Sequence, residues 1–111
     1  MSELSSKHCE PCRGGVPPLT PEQYTPLYDQ LGEGWEVIDQ HHLHKHYGFR
    51  NFADALAFVN RVGAIAEEEG HHPDFVLAWG KVEITLWTHK IDGLSLSDFV
   101  LAAKADEALQ A

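Results

Sequence analysis

Glu67-Glu68-Glu69-Gly70-His71-His72-Pro73 is the stretch on which the reading of this chain turns. Upstream of it, Phe52, Ala55, Leu56, Val59, Val62, Gly63 and Ala66 recur at helical spacing behind Asn51, an N-cap residue. Gly70 suits the left-handed exit of that helix, and Pro73 forbids its continuation. Downstream, Asp74–Trp79 and Val82–His89 read as two strands, joined at Gly80-Lys81 by a type II′ hairpin turn. The stretch is thus a helix-to-hairpin junction carrying carboxylates and two adjacent imidazoles.

Working outward toward the N-terminus, His42–Phe49 alternates with period two. Leu43, Lys45, Tyr47 and Phe49 take one face, and His42, His44 and His46 the other. Trp35–Asp39 reads as its partner strand. Thr20-Pro21-Glu22-Gln23 is a capping box with proline at the first helical position, and Tyr24, Leu27, Tyr28 and Leu31 follow at helical spacing. Pro26 predicts a short or kinked helix of about three turns, ended by Gly32 and Gly34. Toward the C-terminus, Asp92-Gly93 turns the chain, and Ser95-Leu96-Ser97-Asp98 opens a last helix carrying Leu96, Phe99, Val100, Ala103 and Leu109. The expected fold is α+β, a four-stranded antiparallel sheet covered on one face by three helices in the order α-β-β-α-β-β-α. Its open edges predict a homo-oligomer.

The chain has 111 residues, which predicts one domain over 20–111 behind a flexible leader over 1–19. A net charge of −9 with only 8 Lys and Arg excludes a phosphate-backbone binder, so no nucleic-acid partner is expected. No apolar run reaches the ~20 residues of a membrane span and no signal peptide is visible, so the expected setting is cytoplasmic, with no membrane partner. Cys9 and Cys12 are the only cysteines. With no second Cys-x-x-Cys pair, a mobile leader is favoured over a zinc site, which stays as the weaker alternative.

The eight histidines are the compositional anomaly. Glu67 and His71 are four apart on the helix, where the carboxylate would orient the imidazole. The second hairpin returns at His89. Three groups titrating near neutrality around one pocket suit general acid–base catalysis. From spacing alone, metal binding by Glu67, His71, His72 or His89 is a rival reading. Individually, adjacent histidines before a proline are a polar helix end, and Asp98 is a helix cap.

Glu67-x-x-x-His71-His72-Pro73, Trp79-x-Lys81-Val82, Thr88-His89 and Gly93-Leu94-Ser95-x-x-Asp98 together resemble the pterin-4a-carbinolamine dehydratase family. The resemblance runs from about Leu19 to the C-terminus and includes Gly34-Trp35 and Phe49-x-x-Phe52. The leader, with Cys9, Cys12, Gly14-Gly15 and Pro17-Pro18, resembles a subset of bacterial and organellar members. What the resemblance implies is the same α+β fold, assembled as a homodimer or homotetramer whose sheet continues across the dimer. It implies dehydration of 4a-hydroxytetrahydropterin to quinonoid dihydropterin, recycling the cofactor of aromatic amino acid hydroxylases without a metal or other cofactor. By similarity, His71, His72 and His89 are the catalytic histidines, with Glu67 and Asp98 supporting them. His72 and His89 are expected to move the protons with His71 binding and assisting, Glu67 to orient His71, and Asp98 to hold His89 or contact the pterin while capping its helix. Phe75 and Trp79 either wall the flat ring or pack in the core. The alternatives are a non-catalytic dimerisation or assembly module of the same fold, and a metal-binding protein.

Overall fold

Thr20 opens the first helix, α1 (Pro21–Tyr28). Its Oγ1 accepts from the Gln23 N–H, and Gln23 Oε1 accepts from the Thr20 N–H at 2.8 Å. The structure, a computed structural model, describes residues 4–9 and 16–109. α1 stops before the expected third turn. The N–H groups of Gln30 and Leu31 bond to the carbonyls of Leu27 and Tyr28, and the Gln30 side chain takes the Pro26 carbonyl. Such i→i+3 bonds satisfy a helix end without extending it.

The first hairpin pairs β1 (Glu36–Ile38) with β2 (His42–Gly48). Its turn places Asp39 and Gln40 at φ 53° and 55°, with the His41 N–H on the Ile38 carbonyl at 2.9 Å. Two positive φ values match the right-handed twist of the strands, and aspartate is among the residues that tolerate them. The second hairpin pairs β3 (Asp74–Ala78) with β4 (Lys81–Leu86), and the sheet order is β1-β2-β4-β3, all antiparallel. Here the turn is Trp79-Gly80 instead of Gly80-Lys81, because Ala78 pairs with Lys81. Gly80 is also not a type II′ position: among the described residues the positive-φ glycines are Gly34 and Gly70. Glycine is needed at 80 for approach. A Cβ there would stand 2.8 Å from the Phe49 carbonyl oxygen, while the Phe49 N–H bonds the Gly80 carbonyl at 2.8 Å.

The register sorts the sheet into two faces. Leu43, Tyr47, Val82, Ile84 and Leu86 are buried on the inner face, with Phe75 and Leu77 packed beside them. His44, His46, Thr85, Glu83, Asp74 and Val76 occupy the outer face, where His44 bonds Glu83 at 3.0 Å. Lys45 lies inside, and its ammonium bonds Asp106 at 2.8 Å.

The central helix α2 (Phe52–Glu69) buries Ala55, Phe58, Val62 and Ala66. This stripe is rotated from the expected one: Phe52 and Leu56 are exposed, while Phe58, which the spacing left out, is fully buried with ring centroids 4.6 Å from Tyr47 and 5.4 Å from Phe49. Apolar residues surround much of α2, so two stripes sharing Ala55, Val62 and Ala66 fit a helical period equally well. The last helix, α3 (Leu96–Ala108), is buried over most of its circumference. It packs on α1, α2 and the N-terminal turn Leu4–Ser6. Leu4 is 1% exposed. Residues 4–9, within the leader expected over 1–19, thus hold side chains packed against the helices. Lys104 donates to the Ser5 carbonyl at 2.9 Å, and Ser5 Oγ donates to Glu107.

β1 and β3 are sheet edges in this chain. Among the described residues, no helix is long and apolar enough to cross a membrane.

Candidate functional site

Gly70 ends α2 in the left-handed conformation, φ 66°. The His71 N–H then bonds back to the Ala66 carbonyl at 3.2 Å, closing the wide loop of a Schellman-type exit. That exit breaks the i, i+4 relation on which the Glu67–His71 pairing rested. The His71 imidazole leaves toward α3 and its Nε2 donates to Asp98 Oδ1 at 2.6 Å. His72, one residue later, returns over the last helical turn, and its Nε2 bonds Glu67. Both pairings therefore differ from the expected ones: Glu67 serves His72 instead of His71, and Asp98 serves His71 instead of His89.

Asp98 is fully buried on the first turn of α3. Its Oδ2 accepts from Thr88 Oγ1 at 2.8 Å and from the Ser95 N–H at 2.9 Å. Because the Thr88 hydroxyl hydrogen is committed to Asp98, Ser95 Oγ donates to Thr88 Oγ1, 2.7 Å away. Among the described residues no buried polar side-chain atom lacks a partner, as a buried network requires. The helix N-terminus adds a favourable dipole for a carboxylate. With Nε2 donating to Asp98, neutral His71 carries its lone pair on Nδ1.

Thr88 also fixes the segment that carries His89. Its N–H bonds the Gly93 carbonyl at 2.8 Å, an isolated bridge that closes the loop around the turn His89–Ile91. Asp98 thus joins three elements at one end of the sheet: the α2 exit through His71, the end of β4 through Thr88, and the α3 cap through Ser95. His89 is exposed, and its ring stacks on Trp87. Among the described residues, no hydrogen bond, ion pair or ring contact joins His72 to His89.

Phe75 follows this end of the sheet and faces the inner layer. Trp79 does not share the site within one chain. It sits 69% exposed at the opposite end of the hairpin, about 17 Å away along five residues of strand. Thr88 and Ser95 escaped the sequence reading. Both lie inside the motifs Thr88-His89 and Gly93-Leu94-Ser95-x-x-Asp98, and they complete the shell around Asp98.

Cys9 donates its thiol to the Ser97 carbonyl at 3.5 Å. Burial first, and then Glu69, pushes that thiol up to about 11, which opposes the thiolate a zinc ligand requires. Cys12 lies outside the described residues. Among those described, no three His, Cys, Asp or Glu side chains group to hold a metal ion.

The chain matches the model of the family described as Pterin 4 alpha carbinolamine dehydratase over residues 17–108. It belongs to that family. A relative from Rubrobacter xylanophilus is 61% identical over 106 residues, 96% of this chain and 98% of the relative. Another, from Alkaliphilus metalliredigens, is 54% identical over 96% of each. Both are provisionally named pterin-4-alpha-carbinolamine dehydratase. Among solved structures, the chain is similar to a transcriptional coactivator/pterin dehydratase from Brucella melitensis, with TM-score 0.77 and 27% identity over 82% of this chain and 97% of that one. It is also similar to a pterin dehydratase-like protein identified as a RuBisCO assembly factor, with TM-score 0.61 and 25% identity over 71% of this chain and 93% of that one. The family's four-stranded antiparallel sheet with three helices is the fold found here.

Proposed function

We propose that this chain dehydrates a 4a-hydroxytetrahydropterin to the quinonoid dihydropterin and water, using His71, His72 and His89. The observation that carries the reading is the buried Asp98, which fixes His71 and the Thr88 anchor of the His89 loop at one end of the sheet in a chain of this family. In the reaction, the N5 lone pair forms the C4a=N5 bond as the C4a–O bond breaks. The hydroxyl leaves as water after accepting a proton, and a base removes the N5 hydrogen. An imidazolium and a neutral imidazole meet both needs near neutral pH. His72 and His89 are assigned the proton transfers. His71, immobilised by Asp98, binds and orients the ring beside Phe75. Glu67 sets the tautomer of His72, leaving Nδ1 to face substrate.

The reading places the chain in the cytoplasm as a homo-oligomer, its sheet continued through an unpaired edge strand. The test is turnover of 4a-hydroxytetrahydropterin by purified protein stripped of metal. Replacing both His72 and His89 by Ala should remove most of the rate with the fold intact. Full activity in that double variant would sink the site assignment. Similarity to a RuBisCO assembly factor supports a second reading, a non-catalytic assembly module. A stable stoichiometric protein partner, together with no pterin turnover, would favour it.

A further inference from the structure

The histidine-rich first hairpin supplies none of the residues assigned to the reaction above, yet it reaches the candidate site through one side chain. Leu43 pairs with Leu86, so one step further along the register sets Trp87 opposite His42. The Trp87 indole stacks on His89, ring centroids 4.3 Å apart and planes 29° from parallel. It also meets His41 at 5.5 Å and His42 at 6.1 Å. His41 is held in turn: its Nε2 bonds Asp92 at 2.7 Å, and the Asp92 N–H bonds the His89 carbonyl at 3.2 Å. The Nδ1 atoms of His41 and His42 lie 3.0 Å apart, but no third ligand among the described residues joins them into a metal site.

We propose that Trp87 is the positioning residue for His89, with the His41–His42 pair as the wall on which the indole is seated. This rests on the dehydratase reading above. His71 and His72 are each oriented by a carboxylate, which occupies one ring nitrogen. For His89, among the described residues, the ring contact is Trp87 alone, with no hydrogen bond or ion pair to its imidazole. Stacking fixes the plane of an imidazole while leaving both nitrogens, at the ring edge, for substrate. A proton-transfer group that must donate at one moment and accept at another gains from that arrangement. His42 suits the wall: burial, and then the charge of His41, holds it below its ordinary value, which favours the neutral ring. Asp92 is largely exposed, so its bond to His41 orients the ring rather than anchoring the hairpin.

The experiment compares Trp87→Ala and Trp87→Phe in wild-type and His89→Ala backgrounds, by kcat and KM and by the NMR shift of the His89 ring protons. Trp87→Ala should lower kcat on the order of 10- to 100-fold, the scale of a misplaced catalytic group, with KM changed less. Trp87→Phe, which keeps a flat face, should recover most of the rate. In the His89→Ala background, Trp87→Ala should add no further loss. The ring-current shift of His89 should vanish in Trp87→Ala and persist in Trp87→Phe. An equal loss with and without His89 would overturn the proposal, as would an unmoved His89 shift. The shift is read without turnover, so a failed dehydratase reading and a failed seating of His89 are distinguishable.

Discussion

At the residue scale, the two carboxylates near the histidines are physically unlike. Asp98 is fully buried with three donors on it, whereas Glu67 and His72 are 78% and 59% exposed at their side chains. Asp98→Asn keeps the shape but turns one acceptor into an NH2 group facing donors. It should lower kcat on the order of 100-fold by releasing His71, and it should destabilise the domain by about 1–3 kcal/mol through an unsatisfied buried group. Steady-state kinetics and a urea titration on the same variant read both effects. Glu67→Gln should change stability by less than about 0.5 kcal/mol, because solvent screens an exposed pair. If the two variants lose stability equally, Asp98 is not the buried hub that its contacts describe. The sequence singles out both residues beside the histidines, but their partners were not legible in it. The i, i+4 rule pairs Glu67 with His71 only while the helix lasts, and Gly70 turns the chain one residue too early for it.

At the element scale, local chemistry made most of the fold readable. Thr20 with Gln23, Asn51 with Asp54, and Ser95 with Asp98 mark the helix starts by side chains that meet backbone donors within three residues. Alternation in β2 and β4 identified the faces, since inner and outer residues differ sharply in polarity. What the sequence could not show was long-range compensation. Lys45 alternates onto the inner face, where a lone ammonium would be unfavourable. Its partner is Asp106, 61 residues away, which also accepts from Tyr47 Oη at 2.7 Å and Trp35 Nε1 at 2.9 Å. Burial, and then Asp106, raises the Tyr47 phenol well above its ordinary range. Asp106→Ala leaves an ammonium, a phenol and an indole N–H without their acceptor. The expected loss is about 2–4 kcal/mol, measured as a lower urea midpoint at an unchanged m-value. A loss under about 0.5 kcal/mol would mean that water replaces the carboxylate and that Lys45 is held by the rings of Trp35 and Tyr47 alone.

At the scale of the whole molecule, the packing of the N-terminal segment is the part that was not legible in the sequence. Leu4 stands alone among polar residues, without the periodicity that announces a buried face, so its burial depends on a surface formed by distant elements. Residues 4–9 lie across α2 and α3, the two helices whose ends carry His71 and Asp98. Glu69, two residues before His71, accepts from the Cys9 N–H at 2.7 Å and from His8 Nδ1 at 3.0 Å. The bond from His8 comes first, and that from Cys9 second, in lowering the Glu69 carboxyl from its ordinary value of 4.5. The sign follows from linkage. A carboxyl lowered in the folded state contributes stability in full above its ordinary value, and that contribution is lost as pH falls through the lower folded value. The segment should therefore stay docked at neutral pH and loosen only below about pH 4.5. Hydrogen exchange at the Cys9 amide, corrected for its intrinsic pH dependence, should show protection at pH 6 that falls away in acid. In Glu69→Gln the same protection should be weaker at pH 6 and flat across the acid range. Protection that falls equally in both proteins would mean that another carboxylate, with Glu107 beneath Ser5 as the nearest candidate, governs the release.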